Sequence, residues 1–134
     1  MRIAMIIVRT LMGLLFLFAS VSFFLMMMGV GTPPEITGPM KTFNEGLAAS
    51  GYFFILLKIT ELVCALLLLT GRFVPLALVI LSPIIINIFL LHLTLGPMSG
   101  LITAIFIVVA VIFLAYCYRD AFKPLLTSKY TPST

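Results

Sequence analysis

Apolar residues along this 134-residue chain gather into four long stretches, at about 9–30, 51–70, 73–95 and 101–118. Glycine, proline and charge concentrate in the short segments between them. At roughly 1.5 Å of rise per residue, each stretch is long enough as a helix to cross a hydrocarbon core of roughly 30 Å. Lipid offers no partner for backbone N–H and C=O groups, so a single spanning segment satisfies them internally as a helix. The pattern therefore predicts an all-α polytopic membrane protein, an antiparallel bundle of four transmembrane helices. A loop, two short turns and a polar tail over 119–134 remain, too little for a water-soluble domain with its own core. The whole chain reads as one membrane domain.

The breaks have local causes. Gly31-Thr-Pro-Pro-Glu-Ile-Thr-Gly-Pro-Met40 is dense in residues that cannot continue a helix, so the first span ends near Val30. After Pro39, suited to a first helical position, Met40, Phe43 and Leu47 recur at helical spacing opposite Lys41, Asn44 and Glu45. That predicts a short amphipathic helix on the outer surface. Gly71-Arg72 makes a tight turn between the second and third spans, which are expected to pack as antiparallel neighbours. Pro75 falls in the first turn of the third span, where its missing N–H costs little. Pro83 lies mid-span and removes a bond to the Val79 carbonyl, which predicts a kink. Gly96-Pro97 ends that span, and Tyr116 and Tyr118 mark the membrane interface beside Arg119.

Composition agrees. Apolar residues make up 63% and charged residues 9%, against roughly 45–50% and about 25% in soluble domains. The formal charge of +4 follows topology and forms no basic stripe interleaved with aromatics, so nucleic acid is not an expected partner. Arg2, Arg9, Arg72, Arg119, Lys123 and Lys129 all fall at the termini or in the second connection. The positive-inside rule makes that side the cytoplasm, with both termini there, in a bacterial-type inner membrane. Arg9 is expected to snorkel to the cytoplasmic headgroups from the first turn. The start of the chain has signal-peptide traits, but Phe23 to Met28 carries the apolar run past a usual signal core, so an uncleaved first span is expected. Cys64 and Cys117 lie toward the cytoplasmic ends of their spans and form no C-x-x-C, so no structural disulfide is expected.

Charged side chains inside hydrocarbon each cost about 2.5 kcal/mol or more and need a reason to be there. Lys58 and Glu61 lie about 10 and about 15 Å below the outer end of the second span, on one helix face. One reading is a structural ion pair inside the helix, with Thr60 and Cys64 adding weak polar contacts. The other is a functional cluster: Asn87 in the third span lies at about the depth of Lys58, and His92 lies about one turn nearer the outside. If the faces meet, an amine, a carboxylate, an amide and an imidazole bind a small polar group or relay protons. Five residues separate Asn87 from His92, about 140° around the helix, so both need not point inward; His92 also suits the interface alone. No metalloprotease, haem-attachment, phosphate-loop or nucleophile-elbow motif occurs. Met26-Met27-Met28 points three ways on a helix and reads as lipid-facing bulk rather than a copper site.

Lys58-Ile-Thr-Glu61, then Arg72-Phe-Val-Pro75, then Pro83-Ile-Ile-Ile-Asn87 and Leu91-His92 together resemble the DoxX family of small membrane proteins. The resemblance runs from Arg9-Thr-Leu-Met-Gly-Leu-Leu-Phe16 to Tyr118-Arg-Asp-Ala-Phe-Lys-Pro-Leu-Leu126. It matches Lys58, Glu61, Arg72, Pro75, Pro83, Asn87 and His92 to positions that recur in that family. The stretch where many relatives carry a Gly-x-x-Lys or Gly-x-x-His reads Ala19-Ser-Val-Ser-Phe-Phe24 here. Membership implies four helices and a redox-associated membrane subunit, with quinone as the molecule it contacts, a redox protein as partner, and no cofactor of its own. The residues alone leave two alternatives: a small-solute or proton pathway formed by a homo-oligomer, and a lipid-binding scaffold whose polar cluster only fixes helix packing.

Overall fold

The computed structural model describes residues 2–31, 37–95, 98–129 and 131–132. Its elements in chain order are α1 (Arg2–Met27), α2 (Pro39–Ala49), α3 (Phe53–Thr70), α4 (Val74–Thr94), α5 (Met98–Cys117), α6 (Arg119–Phe122) and a 3-10 turn (Lys123–Leu126). There is no strand among the described residues. Four helices, α1, α3, α4 and α5, are long and apolar enough to cross a membrane. The first begins at Arg2 rather than near Arg9, because Ile3 to Val8 offers no helix breaker. It stops at Met27, before Gly29 turns the backbone left-handed with φ 85°. Gly96-Pro97 and most of the Pro/Gly-rich first connection lie outside the described residues.

The four long helices close a ring of contacts: α1 packs on α3 and α5, and α4 packs on α3 and α5. Met12 and Phe16 of α1, Cys64, Ala65 and Leu68 of α3, Leu78, Leu81 and Ile85 of α4, and Ile107, Ala110 and Leu114 of α5 share one core. Only 22–28% of each apolar helix window is buried. Most of the apolar surface thus faces outward, far more than a water-soluble monomer exposes in one patch. Lipid tails are as apolar as leucine, so close packing rather than the hydrophobic effect holds such helices together. Gly13 shows how: a Cβ there would lie 2.9 Å from Leu69 Cγ and 3.3 Å from the Ala65 carbonyl oxygen, so the bare backbone lets α1 and α3 touch.

The turn between α3 and α4 is tight because two of its three residues are left-handed. Gly71 caps α3 with φ 75°, and Phe73, exposed, precedes α4 with φ 55°. That conformation is strained for a residue with a Cβ. Pro75 follows in the first turn, and α4 runs on through Pro83 to Thr94. Ser82 beside that proline donates to the Leu78 carbonyl at 2.6 Å. Helix α2 opens with Pro39 after Gly38, φ 70°, and buries Met40. Its exposed Lys41–Glu45 pair, at 3.9 Å, adds little stability.

Candidate functional site

Helical geometry alone brings Lys58 and Glu61 together. Lys58 Nζ lies 3.1 Å from Glu61 Oε2, with the side chains 20% and 3% exposed. The contact is charge against charge without an aligned hydrogen bond, since Oε2 is buried and has no donor in line with it. On its other side the Lys58 ammonium lies 5.9 Å from the centre of the Phe23 ring in α1, within reach of a cation–π attraction. Phe23 in turn meets Phe54 at 5.9 Å between centroids. The ammonium thus faces one aromatic ring, Phe23, which packs on a second, Phe54 of α3; the sequence pattern gave no reason to single out either ring. Thr60 spends its hydroxyl on the Leu56 carbonyl of its own helix, at 2.9 Å. Cys64 is buried in the core on the same face of α3.

Asn87 belongs to a different place. It lines a cleft of about 460 Å³ between α2, the start of α3 and the second half of α4. Phe43, Leu47, Phe53, Phe54, Leu57 and Leu91 supply its apolar wall, and Asn44, Asn87 and Thr94 its polar groups. Asn44 therefore borders the cleft with Phe43 and Leu47 rather than lying on the opposite side of α2, because it stands three residues before Leu47 and i, i+3 positions are neighbours on a helix. Asn87 Nδ2 donates to the Pro83 carbonyl at 2.8 Å, which leaves the amide oxygen and a second N–H for an occupant. Thr94 is committed to the Leu90 carbonyl at 2.8 Å.

His92 joins neither group. Its Nδ1 lies 2.8 Å from the Ile88 carbonyl oxygen. Its ring rests on Gly100 at the start of α5, where a Cβ would overlap Cδ2 and come within 2.8 Å of Nε2. The convergence of Lys58, Glu61, Asn87 and His92 thus resolves into an ion pair, a cleft wall and a helix contact; no hydrogen bond or ion pair links the three among the described residues. No cluster of three or more His, Cys, Asp or Glu able to hold a metal occurs among those residues.

Arg9 has a role beyond reaching for headgroups. Its Nη1 donates to the Tyr118 hydroxyl at 3.3 Å. Its guanidinium occupies the space where Gly71 lacks a side chain: a Cβ there would lie 2.9 Å from Nη1. One half-buried cation thus ties α1 to the α3–α4 turn and to the end of α5. Arg72 is exposed in that turn. The signal in the sequence was the coincidence of Arg9, Gly71 and Tyr118 at one end of their spans.

Set against protein-family models, curated proteins and solved structures, the chain finds no match.

Proposed function

We propose that this chain is a DoxX-like integral membrane protein that serves a redox system as an accessory, quinone-contacting subunit and has no catalysis of its own. In this reading the four apolar helices form an antiparallel bundle in a bacterial-type inner membrane. Helix α2 lies on the outer surface, and both termini are cytoplasmic. The observation that carries the reading is the cleft between α2, α3 and α4. Its volume of about 460 Å³ falls in the range of small-molecule sites, which pair apolar and aromatic walls with a few polar groups that fix orientation. A quinone head is a flat apolar ring with carbonyl acceptors, and the amide N–H groups of Asn44 and Asn87 are donors of the kind it needs. A proton pathway draws on less, since Glu61 has no hydrogen-bonded continuation to Asn87 or His92 among the described residues.

The test is native mass spectrometry of the tagged protein released gently from its own membrane, alongside Asn87→Leu. Asn87 is exposed on the cleft wall, so the substitution leaves the core intact. Bound quinone or a second redox polypeptide at defined stoichiometry supports the reading, with quinone occupancy expected to fall about tenfold in the variant, the worth of roughly one hydrogen bond. A bare homo-oligomer, free of quinone and partner, overturns it.

A further inference from the structure

A second groove, of about 420 Å³, lies between α4 and α5 at the end of the molecule where Arg9, Gly71 and Tyr118 meet. Its wall is apolar: Leu78 and Val79 of α4, Val111 and Ile112 of α5, with Ser82 turned to its own helix. The segment after α5 folds over one end of the groove, placing Phe122, Leu125 and Leu126 on it. Leu125 and Leu126 are nevertheless largely exposed. The same segment carries Arg119, Asp120 and Lys123 outward. An element with one apolar and one charged face, too short to span, lies in the plane of a membrane interface.

The charge at this end is predominantly positive. Arg2, Arg9, Arg72, Arg119, Lys123 and Lys129 share this end of the chain's topology with a single acid, Asp120. Asp120 lies 3.0 Å from Lys123, and this neighbour holds its carboxyl below the usual range. Arg119 stacks on the Tyr116 ring at 4.5 Å and donates to the Tyr116 carbonyl at 2.9 Å. This fixes the guanidinium three residues before the groove-lining Phe122 on the same short helix, with N–H groups left over.

We propose that this groove binds an anionic phospholipid: one acyl chain lies between α4 and α5 under Phe122, Leu125 and Leu126, and the phosphate sits at Arg119 and Lys123. The groove opens at hydrocarbon depth, where acyl chains are the solvent. The cations at its mouth select a negative headgroup from the surrounding lipid. Basic groups beside grooves between transmembrane helices recognise acidic lipids in this way. The site stands apart from the α2–α3–α4 cleft, and its occupancy does not depend on quinone.

The chain has no tryptophan, so Leu126→Trp supplies a sole tryptophan at the groove, excited selectively over the tyrosines. The purified variant is reconstituted into phosphatidylcholine vesicles containing a minor fraction of brominated phosphatidylglycerol, and in parallel the same fraction of brominated phosphatidylcholine. Quenching by the anionic probe is expected to exceed its mole fraction several-fold, and quenching by the neutral probe to follow it. Arg119→Gln and Lys123→Gln in this background are each expected to lower the preference by up to about fivefold, with unchanged helical circular dichroism. Lys41→Gln, at the opposite end, leaves it unchanged. Ala115→Phe, which fills the groove with its own ring, is expected to lower the preference with both cations in place. Quenching by the anionic probe at its mole fraction, or a preference that survives both glutamine substitutions, overturns the proposal.

Discussion

The Lys58–Glu61 pair is asymmetric, and the asymmetry sets what each substitution does. Glu61 is 2% exposed and has one cation beside it. Lys58 has a flexible stem, a fifth of its side chain exposed and the Phe23 ring as a second partner. Lys58→Met strands the carboxylate and is expected to cost about 3 kcal/mol, as breaking a buried pair does. Glu61→Gln keeps the shape and leaves an ammonium that can snorkel outward, so about 1 kcal/mol is expected. The double variant should return to within about 1 kcal/mol of the parent. Unfolding in mixed micelles measures all three, and additive losses would show that the two groups do not act as a pair. This pair was legible in the sequence because i, i+3 proximity is a property of the helix itself. The neighbours of Asn87 and His92 were not, because they depend on how α4 is rotated against α3 and α5. Helices α4 and α5 are apolar nearly all round, so no stripe records which face turns inward.

Between elements, the spacing of helices is written in glycines rather than in hydrophobic pattern. The four spans, their short connections and the helix starting at Pro39 follow from apolar length and breakers, and the helices form where those signals lie. Which helices touch most closely does not follow from them. Gly13 admits α3, and Gly100 admits the His92 ring; a glycine in an apolar run looks alike whether it faces lipid or a neighbour. Gly100→Ala is therefore expected to push the imidazole off α5 and cost about 1–3 kcal/mol, the range for overpacking a fitted contact. His92→Ala alone should cost less, since Nδ1 serves only its own helix. Combined with His92→Ala, Gly100→Ala should become nearly neutral. A thermal-unfolding cycle in detergent reads the coupling, and equal cost of Gly100→Ala in both backgrounds would remove His92 from that contact.

For the whole molecule, the unequal charge at the two ends predicts an orientation. Six cations at the end holding Arg9 and Tyr118 face one acid, whereas the first connection and α2 set Lys41 against Glu35 and Glu45. Insertion retains Lys and Arg on the cytoplasmic side, and the short loops here leave little else to compete with that bias. With Cys64→Ala and Cys117→Ser as background, a single cysteine at exposed Thr42 in α2 should react with an impermeant maleimide on intact cells. One at exposed Thr127, after the 3-10 turn, should react only once the membrane is opened. The reverse labelling would invert the assignment of both ends. Replacing Arg119, Lys123 and Lys129 by Glu while changing exposed Ala48 of α2 to Lys removes most of the difference between the ends. With the reporter at Thr127, part of the population is then expected to become labelled from outside. Arg9 limits that shift, because its guanidinium joins α1, the α3–α4 turn and Tyr118 and keeps those three ends on one side whichever side it is. Inverted molecules should therefore be fully inverted, with Thr42 and Thr127 never accessible together on the same chain.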